Sequence, residues 1–177
     1  MNTNQFMQAA LSLAMQGAEA GEVPIAALIV KDNQILSAHY NHVESFADPT
    51  AHAEMLVIRA ACDILDSPRL TDCDMYVTLE PCPMCATAIS FARIKRLYFG
   101  AHDPKGGGVE SGPRIFSQPT CHHKPEIYGG IAEHQAGEMR GAARAGRRRS
   151  GGTVAIAVTV AVAVPVAVPV ATALARR

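Results

Sequence analysis

Two short segments constrain this chain more than anything else in it: His52-Ala53-Glu54 and Pro81-Cys82-Pro83-Met84-Cys85. Together they offer one imidazole, two thiols and one spare carboxylate. Neutral imidazole and thiolate are ligands of tetrahedral zinc, and three protein ligands leave a fourth position for water, the arrangement of a catalytic rather than a structural site. Any fold adopted by the chain must bring the two segments to one point.

The intervening residues make that possible. Met75 to Leu79 reads as a short buried strand, and Pro81 falls where a first helical position is expected, because its missing N–H costs nothing there. Cys82 and Cys85 then lie in an opening helical turn. Residues three apart share a helix face, and a helix N-terminus favours thiolate over thiol, so both sulfurs can reach one metal in the required charge state. Asp48-Pro49-Thr50 leads into a second helix opening near His52. On a regular helix His52 and Glu54 would point about 200° apart, so they must straddle the metal at the helix mouth. Zinc lowers the pKa of bound water toward about 7, and Glu54 is the candidate group for carrying the proton. A lone Cys-x-x-Cys also occurs in structural zinc sites and redox pairs; its conjunction with His-x-Glu is what points to hydrolytic chemistry. Cys62, Cys73 and Cys121 have no such setting, and five cysteines without a signal peptide fit a reducing cytoplasm.

Periodicity supplies the frame. Phe6, Met7, Ala10, Leu11 and Ala14 repeat at helical spacing within Gln5 to Ala20, and Gly21 stops the helix. Ile25 to Val30 is a continuous apolar run, Asp32-Asn33 a turn, and Gln34 to Ala38 a hairpin partner. Ala51 to Leu65 and Pro81 to Ala92 read as helices and Leu97 to Gly100 as a strand, followed by a long loop from Gly100 to Tyr128. Such alternation favours an α/β sandwich around one core.

The segment from about Gln5 to Glu133 resembles the cytidine and deoxycytidylate deaminase superfamily, and most closely the bacterial tRNA adenosine deaminases (the TadA family). The resemblance rests on Gly21-Glu22-Val23-Pro24-Ile25, Asn41, Asp48 to Glu54, Tyr76 to Cys85, Ala92-Arg93-Ile94, and Phe99-Gly100-Ala101 with Asp103 and Lys105. His-x-Glu with Pro-Cys-x-x-Cys is the signature of zinc nucleobase deaminases, in which the Glu is not a ligand; free cytidine deaminases generally carry Cys where this chain has His52. The resemblance implies a three-layer α/β/α sandwich with a mixed central sheet. It implies one zinc on His52, Cys82 and Cys85, with Glu54 as acid–base catalyst. Asn41, Pro24, Ile25 and Asp103 would contact substrate, and the backbone at Glu80 and Cys82 would hold the attacking water or the amine. The implied reaction is adenosine to inosine at the wobble position in the anticodon arm of tRNA, by a cytoplasmic homodimer. The alternative is a free base or nucleoside, of guanine or cytosine type.

Formal neutrality hides two opposed halves. Residues 1–137 hold nine Lys and Arg against 15 Asp and Glu, a net −6, and residues 138–177 hold seven Arg and one Glu, a net +6. An acidic core does not by itself announce a nucleic-acid binder, since phosphate neutralisation by Lys and Arg carries much of the affinity. Arg93, Lys95, Arg96, Lys105, Arg114 and Lys124 fall together in the second half and are expected to group around the loop after Phe99. We therefore divide the chain into a deaminase-like domain, 1–137, and an atypical tail, 138–177. Glycine and the lack of large apolar residues speak against a packed helix from Glu138 to Arg144. Thr153 to Ala175 is uncharged and long enough to span a bilayer. Its Ala-Val monotony, with Pro165 and Pro169, reads instead as compositional bias of a disordered, non-homologous segment, and membrane partners are not expected.

Overall fold

The first helix starts on a reciprocal cap. The Asn2 side chain accepts the Gln5 N–H at 3.0 Å while the Gln5 side chain accepts that of Asn2 at 2.8 Å, so two otherwise orphaned donors are satisfied. A computed structural model of the protein describes residues 2–139 and Gly141. In chain order it contains α1 (Thr3–Glu19), β1 (Ala26–Lys31), β2 (Gln34–Tyr40), α2 (Ala53–Leu65), β3 (Asp74–Leu79), α3 (Pro83–Ala92), β4 (Arg96–Ala101), a 3-10 turn (Ile115–Ser117) and β5 (Glu126–Tyr128). Residues 133–139 add a further helical segment.

The five strands form one mixed sheet in the order β2-β1-β3-β4-β5, with β1 antiparallel to β2 and β3, and β4 parallel to β3 and β5. Asp32 and Asn33, at φ 47° and 60°, make the two-residue hairpin turn whose left-handed residues match strand twist. Alternation then sorts side chains to two faces. Ala27, Ile29, Met75, Val77, Leu97 and Phe99 pack with Val57, Ile58 and Ala61 of α2 and Ile89 of α3. Leu28, Val30, Tyr76 and Tyr98 pack under Phe6, Met7, Ala10 and Leu11 of α1. The three-layer α/β/α sandwich is the architecture observed.

The sheet's edges are short or interrupted. β2 carries a bulge, since Ile29 pairs with Ser37 but Val30 with Ile35, leaving Leu36 extra. β5 has three residues.

Several boundaries differ from expectation. α3 begins at Pro83, not Pro81: Pro83 takes the first helical position, Cys82 is the N-cap, and Pro81 is fully buried with its carbonyl accepting the Gly108 N–H. The loop after Gly100 ends in β5, for which Glu126-Ile127-Tyr128 offers too short a run to register as alternation. The basic residues do not form one group. Because β4 and β5 are parallel, Arg93, Lys95, Arg96 and Lys124 lie at the strands' N-terminal end, whereas Lys105 and Arg114 follow β4 at the other; Arg96 is moreover paired to Asp74 at 2.8 Å.

Residues 133–139 also pack better than their composition foretells. Ala136 is 3% exposed and Met139 lies against the α1-side core. Gly100 permits this, because a Cβ there would overlap the Thr78 carbonyl oxygen and crowd the Ala136 methyl. The remainder of the tail, including Thr153 to Ala175, lies outside the described residues. Among those described, no helix is long and apolar enough to cross a membrane.

Gly100→Ala should lower stability by about 1–3 kcal/mol through overpacking. Gly137→Ala, with open space around its Cβ, should raise it by about 0.5–1 kcal/mol through helix propensity. Thermal unfolding of both variants, followed by circular dichroism, checks the pair.

Candidate metal centre and active site

β1 is antiparallel to both its neighbours, so β2 and β3 run in the same direction and finish at the same end of the sheet. α2 follows β2 and α3 follows β3, and both pack on the same face. Their N-termini therefore open side by side. His52 is the N-cap of α2 and Cys82 that of α3, both in extended conformation. The extended backbone at His52 is how it and Glu54, two residues apart, serve one site.

His52 Nδ1 lies 3.7 Å from Cys82 Sγ and 3.5 Å from Cys85 Sγ. A tetrahedral ion with Zn–S of about 2.3 Å and Zn–N of about 2.0–2.1 Å separates such atoms by about 3.5 Å. The donor set thus has the spacing and the chemistry for zinc, and among the described residues it is the one such His, Cys and acid cluster. Its acid–base state is set by mutual contact. The Cys85 thiol, donating to the Cys82 sulfur, brings Cys82 down to about 4 against its burial, with His52 assisting. Cys85, beside that anion and buried, is driven up. The same contact with Cys82 raises His52 against its own burial.

Glu54 is 3% exposed. Burial pushes its carboxyl up, outweighing the backbone hydrogen bond and His52 that pull it down. A carboxyl whose affinity for protons is raised in this way is suited to taking and returning one.

Asn41 is 3% exposed and its Oδ1 accepts the Ala53 N–H at 2.9 Å. His52 offers no side-chain cap, so Asn41 caps α2 from outside the helix. Its backbone N–H donates to the Ile25 carbonyl at 3.0 Å, which joins Pro24 and Ile25 to the same wall; Pro24 is buried and Ile25 half-buried. Asp103 is half-buried at the start of the loop after β4.

Glu80 proves to be an anchor. Its carboxylate, 2% exposed, accepts the N–H groups of Asp103, Val109, Glu110 and Ser111 and the Ser111 hydroxyl at 2.7–3.1 Å. Burial alone would raise Glu80, but these donors outweigh it and hold its pKa low. Gly107 is obligatory above it, since a Cβ there would overlap the carboxylate. The Glu80 N–H is itself spent on the Ala101 carbonyl at 2.8 Å. Cys82, the other backbone position expected to hold water or amine, is the N-cap at the mouth of α3. Glu22, also 3% exposed, does for the loop before α2 what Glu80 does for the other: it accepts the Glu44 and Ser45 amides at 3.2 and 2.9 Å. Neither anchoring role was legible in the sequence, because the amides that recruit the carboxylates come from loops without a pattern.

Comparison with known proteins agrees with this geometry. Residues 1–131 match the family model described as MafB19-like deaminase. A tRNA-specific adenosine deaminase of Agrobacterium fabrum is 56% identical over 134 residues, covering 76% of this chain and 88% of that one. That of Aquifex aeolicus is 47% identical over 124 residues, covering 70% and 82%. The chain belongs to the tRNA-specific adenosine deaminase family. A solved structure from a study of A-to-I editing by tRNA:A34 deaminases superposes with a TM-score of 0.75 at 56% identity, over 76% of this chain and 98% of that one. A guanine deaminase of Bacillus subtilis gives 0.57 at 33% identity, over 88% of this chain and 100% of that one. The fold is thus shared with a guanine deaminase as well.

Glu80→Gln, which keeps the shape but removes the charge, should destabilise the protein by about 1.5–3 kcal/mol. Because the folded pKa lies below the unfolded value of about 4.3, the carboxylate's contribution is present above that value. It is lost as pH falls toward the folded pKa. Acid unfolding curves of wild type and Glu80→Gln should therefore converge at low pH and separate above about pH 5.

Proposed function

We propose that the protein is a zinc-dependent hydrolytic deaminase that converts adenosine to inosine at the wobble position of tRNA. The observation that carries the reading is the buried Glu54 set beside a three-donor cluster of zinc spacing, in a chain 56% identical to a tRNA-specific adenosine deaminase. His52, Cys82 and Cys85 would hold one zinc, which when bound supplies a Lewis acid and a water acidified toward neutral pH. The chain's own residues do the rest. Glu54 takes the two protons of the attacking water in turn, giving the first to ring N1 and the second to the exocyclic amine as its bond to the ring carbon breaks, so that adenosine and water give inosine and ammonia. Asn41, already fixed at the mouth of α2, orients the base through its remaining amide hydrogens. Pro24 and Ile25 form an apolar wall against it, and Asp103, ordered through the Glu80 loop, lies against the nucleotide beside the target. The Cys82 backbone positions the reacting water or amine.

The protein acts in the cytoplasm as a homodimer on this reading. Support for the second part comes from the α2–α3 face, where Phe91, 58% exposed, borders a shallow cavity lined also by Ile58, Cys62, Pro68 and Ala88 and edged by Arg59, Asp63 and Arg69. Apolar side chains grouped on one face mark an association surface. The 1–137 unit carries the activity, and the tail beyond it is a non-homologous appendage.

The test is inosine formation in a tRNA anticodon stem-loop by zinc-loaded protein, with guanine, cytosine and free nucleosides offered in parallel. Turnover of the stem-loop is expected; turnover of a free base instead would overturn the substrate assignment. Glu54→Gln should lower kcat by about 10²–10⁴-fold with metal content per chain, measured by plasma emission, unchanged. Phe91→Glu should halve the mass seen by light scattering while leaving the fold intact.

A further inference from the structure

The loop between β2 and α2 carries an aromatic feature that the catalytic reading leaves unused. Tyr40, His42 and Phe46 stack face to face, with ring centroids 4.5 and 4.6 Å apart and interplanar angles of 23° and 15°. The bottom of the stack is grounded: Tyr40 lies directly over Gly17 of α1, where a Cβ would crowd its ring. The top is open. Phe46 is 59% exposed, the highest among the large apolar side chains of the described residues.

An exposed phenylalanine on a pliable loop would mean little, but this loop is held from several sides. Glu22 fixes the amides of Glu44 and Ser45, His42 N–H donates to the Ala51 carbonyl at 3.0 Å, Phe46 N–H to that of His42 at 3.0 Å, and Asp48 binds both the amide and hydroxyl of Thr50 at 2.7 Å. His42 Nδ1 meets the Ser45 hydroxyl at 3.0 Å, which sets the middle ring. The stack also stands at the right place. It rises from the C-terminal end of β2, the end of the sheet at which α2 and α3 open, and its loop runs directly into His52.

We infer that the open face of Phe46 is a stacking subsite for a base of the RNA substrate next to the target adenosine. Stacking on an aromatic ring accepts any base and needs no hydrogen-bond readout. The loop's own charges disfavour phosphate: Glu44 and Asp48 are acidic and the loop has no Lys or Arg, with Arg59 of α2 acting on Asp48, so a neutral planar base is the part of a nucleotide that suits the ring. A rigid platform also loses little entropy on binding. The inference rests on the RNA reading proposed above and adds to it a contact outside the catalytic pocket.

The test combines Phe46→Ala and Phe46→Trp with an abasic scan of the nucleotides flanking the target in the anticodon stem-loop. Phe46→Ala should raise KM by roughly fivefold or more with kcat nearly unchanged, and Phe46→Trp should restore it. One flanking position made abasic should weaken binding to wild type but cost nothing further in Phe46→Ala. The inference is overturned if Phe46→Ala binds the stem-loop as wild type does, if no scanned base is coupled to residue 46, or if the loss coincides with dissociation of the dimer in light scattering. Failure of wild type to bind any stem-loop is a separate outcome, which removes the RNA reading itself and this subsite with it.

Discussion

The structure depends on three donor atoms from distant segments meeting within 3.5–3.7 Å. One antiparallel strand achieves this. By running against both neighbours, β1 makes β2 and β3 codirectional, so the helices that follow them start at the same end and on the same face. Two helix N-termini side by side concentrate unpaired N–H groups and positive potential where thiolates are required. A β1 parallel to one neighbour and antiparallel to the other would have sent one helix mouth to the opposite end of the sheet.

Three buried glutamates show how environment assigns different work to one side chain. Glu22 and Glu80 are surrounded by backbone donors and stay ionised, and each turns an irregular loop into a fixed one. Glu54 has few donors and much burial, and its pKa moves the other way. The acidic balance of the first 137 residues is in part this internal scaffolding, so net charge understates how well the surface could receive a polyanion. The grouping of basic residues in sequence misled for a related reason: Arg96 and Lys105 are near in the chain, yet β4 separates them by its full length.

Chemistry was easier to read than architecture's finer points. His52, Cys82, Cys85 and Glu54 stood out because their residue types and spacing are jointly rare, and the long elements because their apolar periods extend over many residues. Helix starts were less legible where two prolines competed: Pro81 and Pro83 both suit a first turn, and the choice of Pro83 depends on Pro81 being buried under the Gly108 loop. β5 and the packing of Ala136 were invisible because each is decided by a partner far along the chain, Arg96 to Tyr98 of β4 for the one and Gly100 for the other. Asn41 capped a helix it does not belong to, a role no local pattern announces.

The sheet's two margins have a consequence for assembly. The bulge at Leu36 breaks the regular hydrogen-bonding rim of β2, and β5 exposes a rim only three residues long. Neither offers a template on which a strand from another molecule could register. Growth of one copy onto the next through continuous sheet is thereby disfavoured, and the helical layers are the broader surfaces for contact between copies. On one side of the sheet that layer is built from α2 and α3, the same two rods whose tips present the donor atoms, so a neighbour gripping their flanks would brace the metal cradle mechanically without touching it.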